Sequence, residues 1–212
     1  MDIVLPAIEE YIAQYSTAPD ALLQKIITHT KATHPKAHML SGAVQGIFLQ
    51  MISSMLKPAR VLEIGTFTGF SAICLAKGLP PEGLLHTIEL READAAIAQQ
   101  YFNESIYSNK IILHVGNAKD IIPLLSETWD LIFIDADKLS YIYYYELTLP
   151  LLKSGGYMLV DNVLFYGDVL GKPITGKNAV AIHAFNEHLA NDDRTEQVML
   201  SVRDGITVIK KL

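Results

Sequence analysis

From Arg60 onward, short apolar runs alternate with helical stretches of about 8–16 residues, and this alternation leaves few folds open. The runs "RVLEI" (60–64), "LLHTIEL" (84–90), "KIILHV" (110–115), "DLIFID" (130–135) and "YMLVD" (157–161) read as strands. The first four have the continuous Val/Ile/Leu character of strands covered on both faces, which predicts a parallel α/β sheet. The ending differs. "EQVMLSV" and "ITVIKK" flank Arg203-Asp204-Gly205, and an Asp-Gly between two strand patterns signals an antiparallel hairpin. A helix over 179–190 precedes it. Upstream, the periodicity predicts helices over 3–15, over 20–33 after Pro19, and over 41–56 with Ser41 as N-cap. The expected layout is one domain, 1–212, with a helical cap (1–57) on an α/β core (58–212). The core is a doubly wound, Rossmann-like, mostly parallel seven-stranded sheet ending in an antiparallel hairpin.

Composition narrows the partners. Half of the 212 residues are hydrophobic and 19% are charged, as in a globular chain. A net charge of −6 without basic runs argues against nucleic acid. No apolar run approaches bilayer-spanning length, and the acids in "MDIVLPAIEEYIAQY" do not fit a signal peptide. The single cysteine, Cys74, excludes an internal disulfide and fits a reducing cytoplasm. Its apolar helical setting marks it as a packing residue.

Ligands of open parallel sheets bind beyond the carboxyl ends of the strands. In this chain those ends present Glu63, Gly65 and Gly69, then Glu89, then Asn117 and Ala118, then Asp135 to Lys138, then Asp161 and Asn162. A strand order of 3-2-1-4-5 would line one crevice with all of them. "EIGTFTG" lacks the Gly-x-Gly-x-x-Gly that admits a pyrophosphate, which disfavours a nicotinamide cofactor, and no P-loop lysine follows. Glu89, 24 residues after Gly65, can accept both hydroxyls of a ribose. A ribose without a pyrophosphate suggests an adenosyl ligand such as S-adenosylmethionine. Asp135, Asp161 and Asn162 offer three hard oxygens, suited to Mg2+, Mn2+ or Ca2+ and not to Zn2+. Lys138 can reach the same ion, and a nearby dication favours its neutral, basic form.

Plainer readings exist for several of these residues. Asp137 can cap a helix starting near Lys138, and Asp161-Asn162 can be an ordinary turn. Tyr141, Tyr144 and Tyr145 sit at helical spacing and read as packing, while His34, His38, His183 and His188 read as non-ligands. A metal-dependent phosphotransferase or hydrolase could also use Asp-x-Asp after a strand, but would leave Glu89 and the hairpin unexplained. A non-catalytic adenosyl-binding module would have no use for the Asp135, Lys138 and Asp161 set.

"MLSGAVQGIFL", "VLEIGTFTGFS", "FIDADKLSYIYY", "VDNVLFYGDV" and "DGITVIKK" together resemble the cation-dependent O-methyltransferases, the caffeoyl-CoA and catechol O-methyltransferase family, over about 38–212. The resemblance implies methyl transfer from S-adenosylmethionine to one hydroxyl of a vicinal aromatic diol, on a class I methyltransferase architecture. It implies a cofactor site of Ser41, Glu63, Gly65, Thr66, Ser71, Glu89, Ala118, Asp135 and Asp137. Asp135, Asp161 and Asn162 would hold the divalent cation, with Lys138 as the catalytic base. A cytoplasmic homodimer without nucleic-acid or membrane partners is expected. Phe165-Tyr166 stands where many members carry Trp-Asn, and His183 where bacterial relatives often carry Arg. Both map to the acceptor side, so the acceptor is left open.

Overall fold

The computed structural model describes residues 4–212. The chain divides into two compact units, Glu10–Leu125 and Ser126–Leu212, the latter with the N-terminal residues up to Glu9. The first helix, α1 (Pro6–Gln14), buries none of its residues.

In the Glu10–Leu125 unit, α2 (Ala21–Thr33) starts where the Asp20 carboxylate accepts the Leu23 N–H at 3.0 Å, satisfying a free donor of the first turn. The next helix, α3 (Ala43–Leu56), is capped by Gly42 and not by Ser41, because Gly42 is the last extended residue and no side chain caps the turn. The apolar helical stretch Ala37–Leu56 is 20 residues long, so a segment of spanning length does exist, contrary to expectation. It is interrupted, however. A 3-10 turn (Ala37–Met39) is followed by extended residues, and the 14 residues of α3 span about 21 Å against a bilayer core of about 30 Å. One side of α3 is committed to packing. A Cβ on Gly46 would lie 2.5 Å from the Phe70 ring, and Ser53 Oγ donates to the Leu75 carbonyl at 2.6 Å.

Three parallel strands follow, β1 (Arg60–Ile64), β2 (Leu84–Glu89) and β3 (Ile111–Val115), connected through α4 (Phe70–Ala76) and α5 (Glu92–Glu104), with α6 (Ala118–Ile121) after β3. Ile64 pairs with Ile88, and Glu89 with Val115, so the three carboxyl ends are nearly level. Every residue of α4 is buried, Cys74 included, and burial pushes the Cys74 thiol up to about 12. Its expected packing role holds.

The second unit contains β4 (Trp129–Ile134), a 3-10 turn (Lys138–Ser140), α7 (Tyr141–Thr148), β5 (Leu152–Asp161), α8 (Lys177–Ala190), β6 (Thr195–Leu200) and β7 (Ile206–Lys211). The helix expected near Lys138 is thus preceded by a tighter turn. β5 also begins earlier than its apolar run, because Leu152 already pairs with Trp129 before a register shift. β4 and β5 are parallel up to Ile134↔Val160, while β7 runs antiparallel to β5 and β6. Trp129, Phe133, Tyr141, Tyr145 and Phe185 are essentially inaccessible, and each buried apolar side chain of this size contributes about 1.5–3 kcal/mol. The sheet order is β3-β2-β1-β4-β5-β7-β6, the expected doubly wound arrangement with its antiparallel end.

Candidate active site

Two clusters of polar side chains stand at strand ends, one in each unit. In the Glu10–Leu125 unit, the chain leaves β1 through Gly65 (φ +101°) and reaches α4 through Gly69 (φ +86°), left-handed values that favour glycine. Glu63 is fully buried on β1. Its Oε2 accepts from the Thr87 hydroxyl at 2.5 Å, and Thr87 Oγ1 lies 2.5 Å from Thr66 Oγ1. Since Thr87 gives its proton to Glu63, Thr66 is the donor to Thr87, and the three residues form one directed chain.

Glu89 is nearly inaccessible at the end of β2. Its Oε2 accepts the Phe67 N–H at 2.7 Å and its Oε1 accepts the Arg91 N–H at 3.0 Å. Each carboxylate oxygen has a second lone pair, so two hydroxyls of a ligand can still be accepted. Asn117 caps α6 by accepting the Lys119 N–H, which positions Ala118 at the end of β3. Ser41 and Ser71 are buried in the same unit.

Sequence reasoning missed the support around Glu89. His34 Nδ1 accepts the Lys36 N–H, so the proton is on Nε2 and is donated to Asp94 Oδ1 at 2.8 Å. The other oxygen of Asp94 accepts from Arg91 Nε. The His34 ring meets Phe67 edge-on at 4.6 Å, and Phe67 donates to Glu89. The Arg91/Asp94 spacing, i and i+3 at a helix start, was a local hint. His34 is 60 residues from Asp94 and gave none.

The second cluster joins Asp135, just past β4, to Asp161, the last residue of β5. Ile134↔Val160 pairing puts these two aspartates level on neighbouring strands. Lys138 Nζ donates to Asp135 Oδ1 at 2.8 Å and to the Tyr141 hydroxyl at 2.7 Å, and Tyr141 donates to the Asp161 carbonyl at 3.0 Å. Burial opposes the charge on Lys138, but the Asp135 carboxylate, with Tyr141 and Asp161, outweighs it and raises the ammonium well above the usual lysine range. Burial pushes the Tyr141 hydroxyl far up as well. Tyr141 and Tyr144 are packed as expected, yet both hydroxyls have tasks. Tyr144 donates to Asp137 Oδ2 at 2.8 Å, and Asp137 makes no side-chain cap bond to the turn it precedes.

Asp161 is fully buried, and its Oδ1 accepts the Asn162 N–H at 2.8 Å. Asn162 has φ +59°, and its Nδ2 donates to Asp204 Oδ2 at 3.0 Å. Two carboxylates and an amide oxygen make a donor set suited to a hard dication. A different trio, Glu146, His188 and Asp192, has ligand atoms within 4.8 Å of one another. There Arg194 bonds Glu146 at 2.7 Å and Asp192 at 2.5 Å and holds both carboxyls below the usual carboxylate range. That cluster is a guanidinium-centred ion-pair network.

Comparison with known proteins places this geometry in context. A family model described as O-methyltransferase matches residues 13–212. Caffeoyl-CoA O-methyltransferase 5 of Nicotiana tabacum is 30% identical over 219 residues, covering 97% of this chain and 91% of the relative. The SAH-bound methyltransferase of Podospora anserina superposes with a TM-score of 0.90 at 26% identity, covering both chains fully. The O-methyltransferase of Bacillus cereus in complex with SAH superposes with a TM-score of 0.88 at 29% identity, covering 97% of each chain.

Proposed function

The chain belongs to the O-methyltransferase family, and from that premise we propose that it transfers the methyl group of S-adenosylmethionine to one hydroxyl of a vicinal aromatic diol, with a divalent cation, Mg2+ foremost. The observation that carries this reading is the oxygen set Asp135, Asp161 and Asn162 on two neighbouring strand ends, with the Lys138 amine on Asp135. The cofactor is supported by the SAH-bound relatives and by Glu89, whose carboxylate retains two accepting positions for ribose hydroxyls.

The roles follow from the chemistry. Glu89 fixes the adenosyl ribose, and the Glu63–Thr87–Thr66 chain stiffens the turn beside it. Asp135, Asp161 and Asn162 would hold the cation, leaving coordination positions for the two oxygens of a diol. The cation would acidify a phenol and orient its oxygen. Once released from Asp135, the Lys138 ammonium would lose a proton to solvent, and the free amine would then receive the phenolic proton. A homodimer and a cytoplasmic location belong to the same proposal. α1 supports the former, since it presents Ile8, Tyr11 and Ile12 to solvent, with Leu5 and Tyr15 flanking it.

Calorimetry with S-adenosylhomocysteine, NADH and ATP side by side tests the cofactor assignment. Only the first is expected to bind tightly, and Glu89→Ala is expected to weaken it about ten- to a hundredfold, because two ligand hydroxyls lose a charged acceptor. Glu89→Gln, which retains the shape and one acceptor, is expected to fall between. An unchanged affinity in a folded Glu89→Ala protein would refute the ribose role.

A further inference from the structure

The closing Arg203-Asp204-Gly205 turn does more than reverse the chain between β6 and β7. Asp204 is nearly inaccessible, an unusual place for a hairpin carboxylate. Its Oδ2 accepts from Asn162 Nδ2 at 3.0 Å, and its Oδ1 accepts the Tyr166 N–H. Its carbonyl accepts the Leu164 N–H at 3.0 Å, and the Gly205 carbonyl accepts the Val163 N–H at 3.2 Å. Four donors from residues 162–166 therefore end on one turn. Gly205 is required by the fit, since a Cβ there would lie 2.6 Å from Leu164 at φ +86°. The segment so gripped is strained. Asn162, Phe165 and Tyr166 all have left-handed φ, at +59°, +44° and +56°.

We propose that Asp204 is a positioning residue that fixes the Asn162 side-chain amide with its nitrogen inward and its Oδ1 presented to a divalent cation. A carboxylate can only accept, so the amide NH2 must face Asp204 and the oxygen must face away. Without that acceptor, the amide can turn over and set two N–H groups against the cation. This inference rests on the cation reading above and adds a residue 42 positions away in sequence.

The test is a reciprocal exchange read by Mn2+ binding, measured from the free-ion electron paramagnetic resonance signal, with no methyl donor or acceptor present. Asp204→Asn is expected to weaken Mn2+ binding at least tenfold, because the two donors meet different carboxylate oxygens and an amide replaces one of these with an NH2, which cannot accept. Asn162→Asp is expected to weaken it too, since two carboxylates then face each other. The double variant Asn162→Asp/Asp204→Asn restores one acceptor facing one donor and is expected to return to within about threefold of wild type, which general damage to the turn would not do. Wild-type binding in Asp204→Asn would overturn the proposal. So would an exchange variant that recovers neither folding nor binding. Asp161→Ala separates the two levels: if it binds Mn2+ like wild type, the cation assignment itself fails, whereas loss there with no loss in Asp204→Asn sinks the positioning role alone.

Discussion

Removal of divalent cations is expected to abolish methyl transfer, and added Mg2+ to restore it. The reason is the acceptor's acidity. A phenol of pKa about 10 is almost wholly protonated at pH 7, and the protonated oxygen is a poor nucleophile. A dication beside that oxygen stabilises the charge that develops on it by several kcal/mol, which corresponds to a factor of about 10² or more in rate. Among the three oxygen-bearing side chains, Asp161 is the most informative to remove. It is fully buried, level with Asp135 across neighbouring strands, and backed by the Asn162 N–H. Asp161→Ala is expected to lose at least about 10²-fold in turnover, without full recovery in excess Mg2+, because a buried carboxylate cannot be replaced by solution ions. Measuring turnover against Mg2+ concentration in wild type and variant checks this. Full activity in EDTA would contradict it.

Lys138→Met carries the other large expected effect. Methionine retains the apolar stem and removes the amine, so general-base catalysis worth about 10²–10⁴ in rate is lost. Affinity for S-adenosylhomocysteine should stay near wild type, because the Lys138 amine bonds Asp135 and Tyr141 and not Glu89, whose carboxylate meets the Phe67 and Arg91 N–H groups. Without a cation on Asp135, that carboxylate holds Lys138 as an ammonium well above its usual range. A group that must shed its proton to act makes the rate rise with pH, so the wild-type profile should climb and the Lys138→Met profile should flatten. Lys138→Arg should not rescue activity, since a guanidinium does not deprotonate in this range. A wild-type rate for Lys138→Met near neutral pH would make Lys138 a spectator.

What could be read from the sequence and what could not follow a physical division. Strands β1, β2 and β4 were legible because burial on both faces demands a continuous apolar run. β3 has the same apolar run but exposes Ile112 and Val115, so its expected cover on both faces does not hold. Asp135 stood out because a charge at the end of such a run needs a reason. The order 3-2-1-4-5 was supposed because it gathers the polar strand ends along one crevice, and the sheet has that order. Ser41 failed as a cap because the preference for serine is local, whereas the helix start is set where Gly42 leaves extended backbone. Tyr141 was legible as core and packs 5.6 Å from Phe185, but periodicity cannot show that its hydroxyl bridges Lys138 and Asp161. Asp204 was legible only as a turn residue, for its partners Asn162 and Tyr166 are about forty positions upstream. The bond of His34 to Asp94 had no counterpart in any motif.

Comparing a vicinal diol with its matching monohydroxy analogue, each supplied with S-adenosylmethionine labelled in the methyl group, with Mg2+ and with EDTA, tests the reading of the Asp135, Asp161 and Asn162 set. The expected result is labelled product from the diol in Mg2+, far less from the monohydroxy compound, and none from either in EDTA. Equal rates for the two acceptors, or rates indifferent to EDTA, would show that these oxygens do not hold a cation that chelates the acceptor.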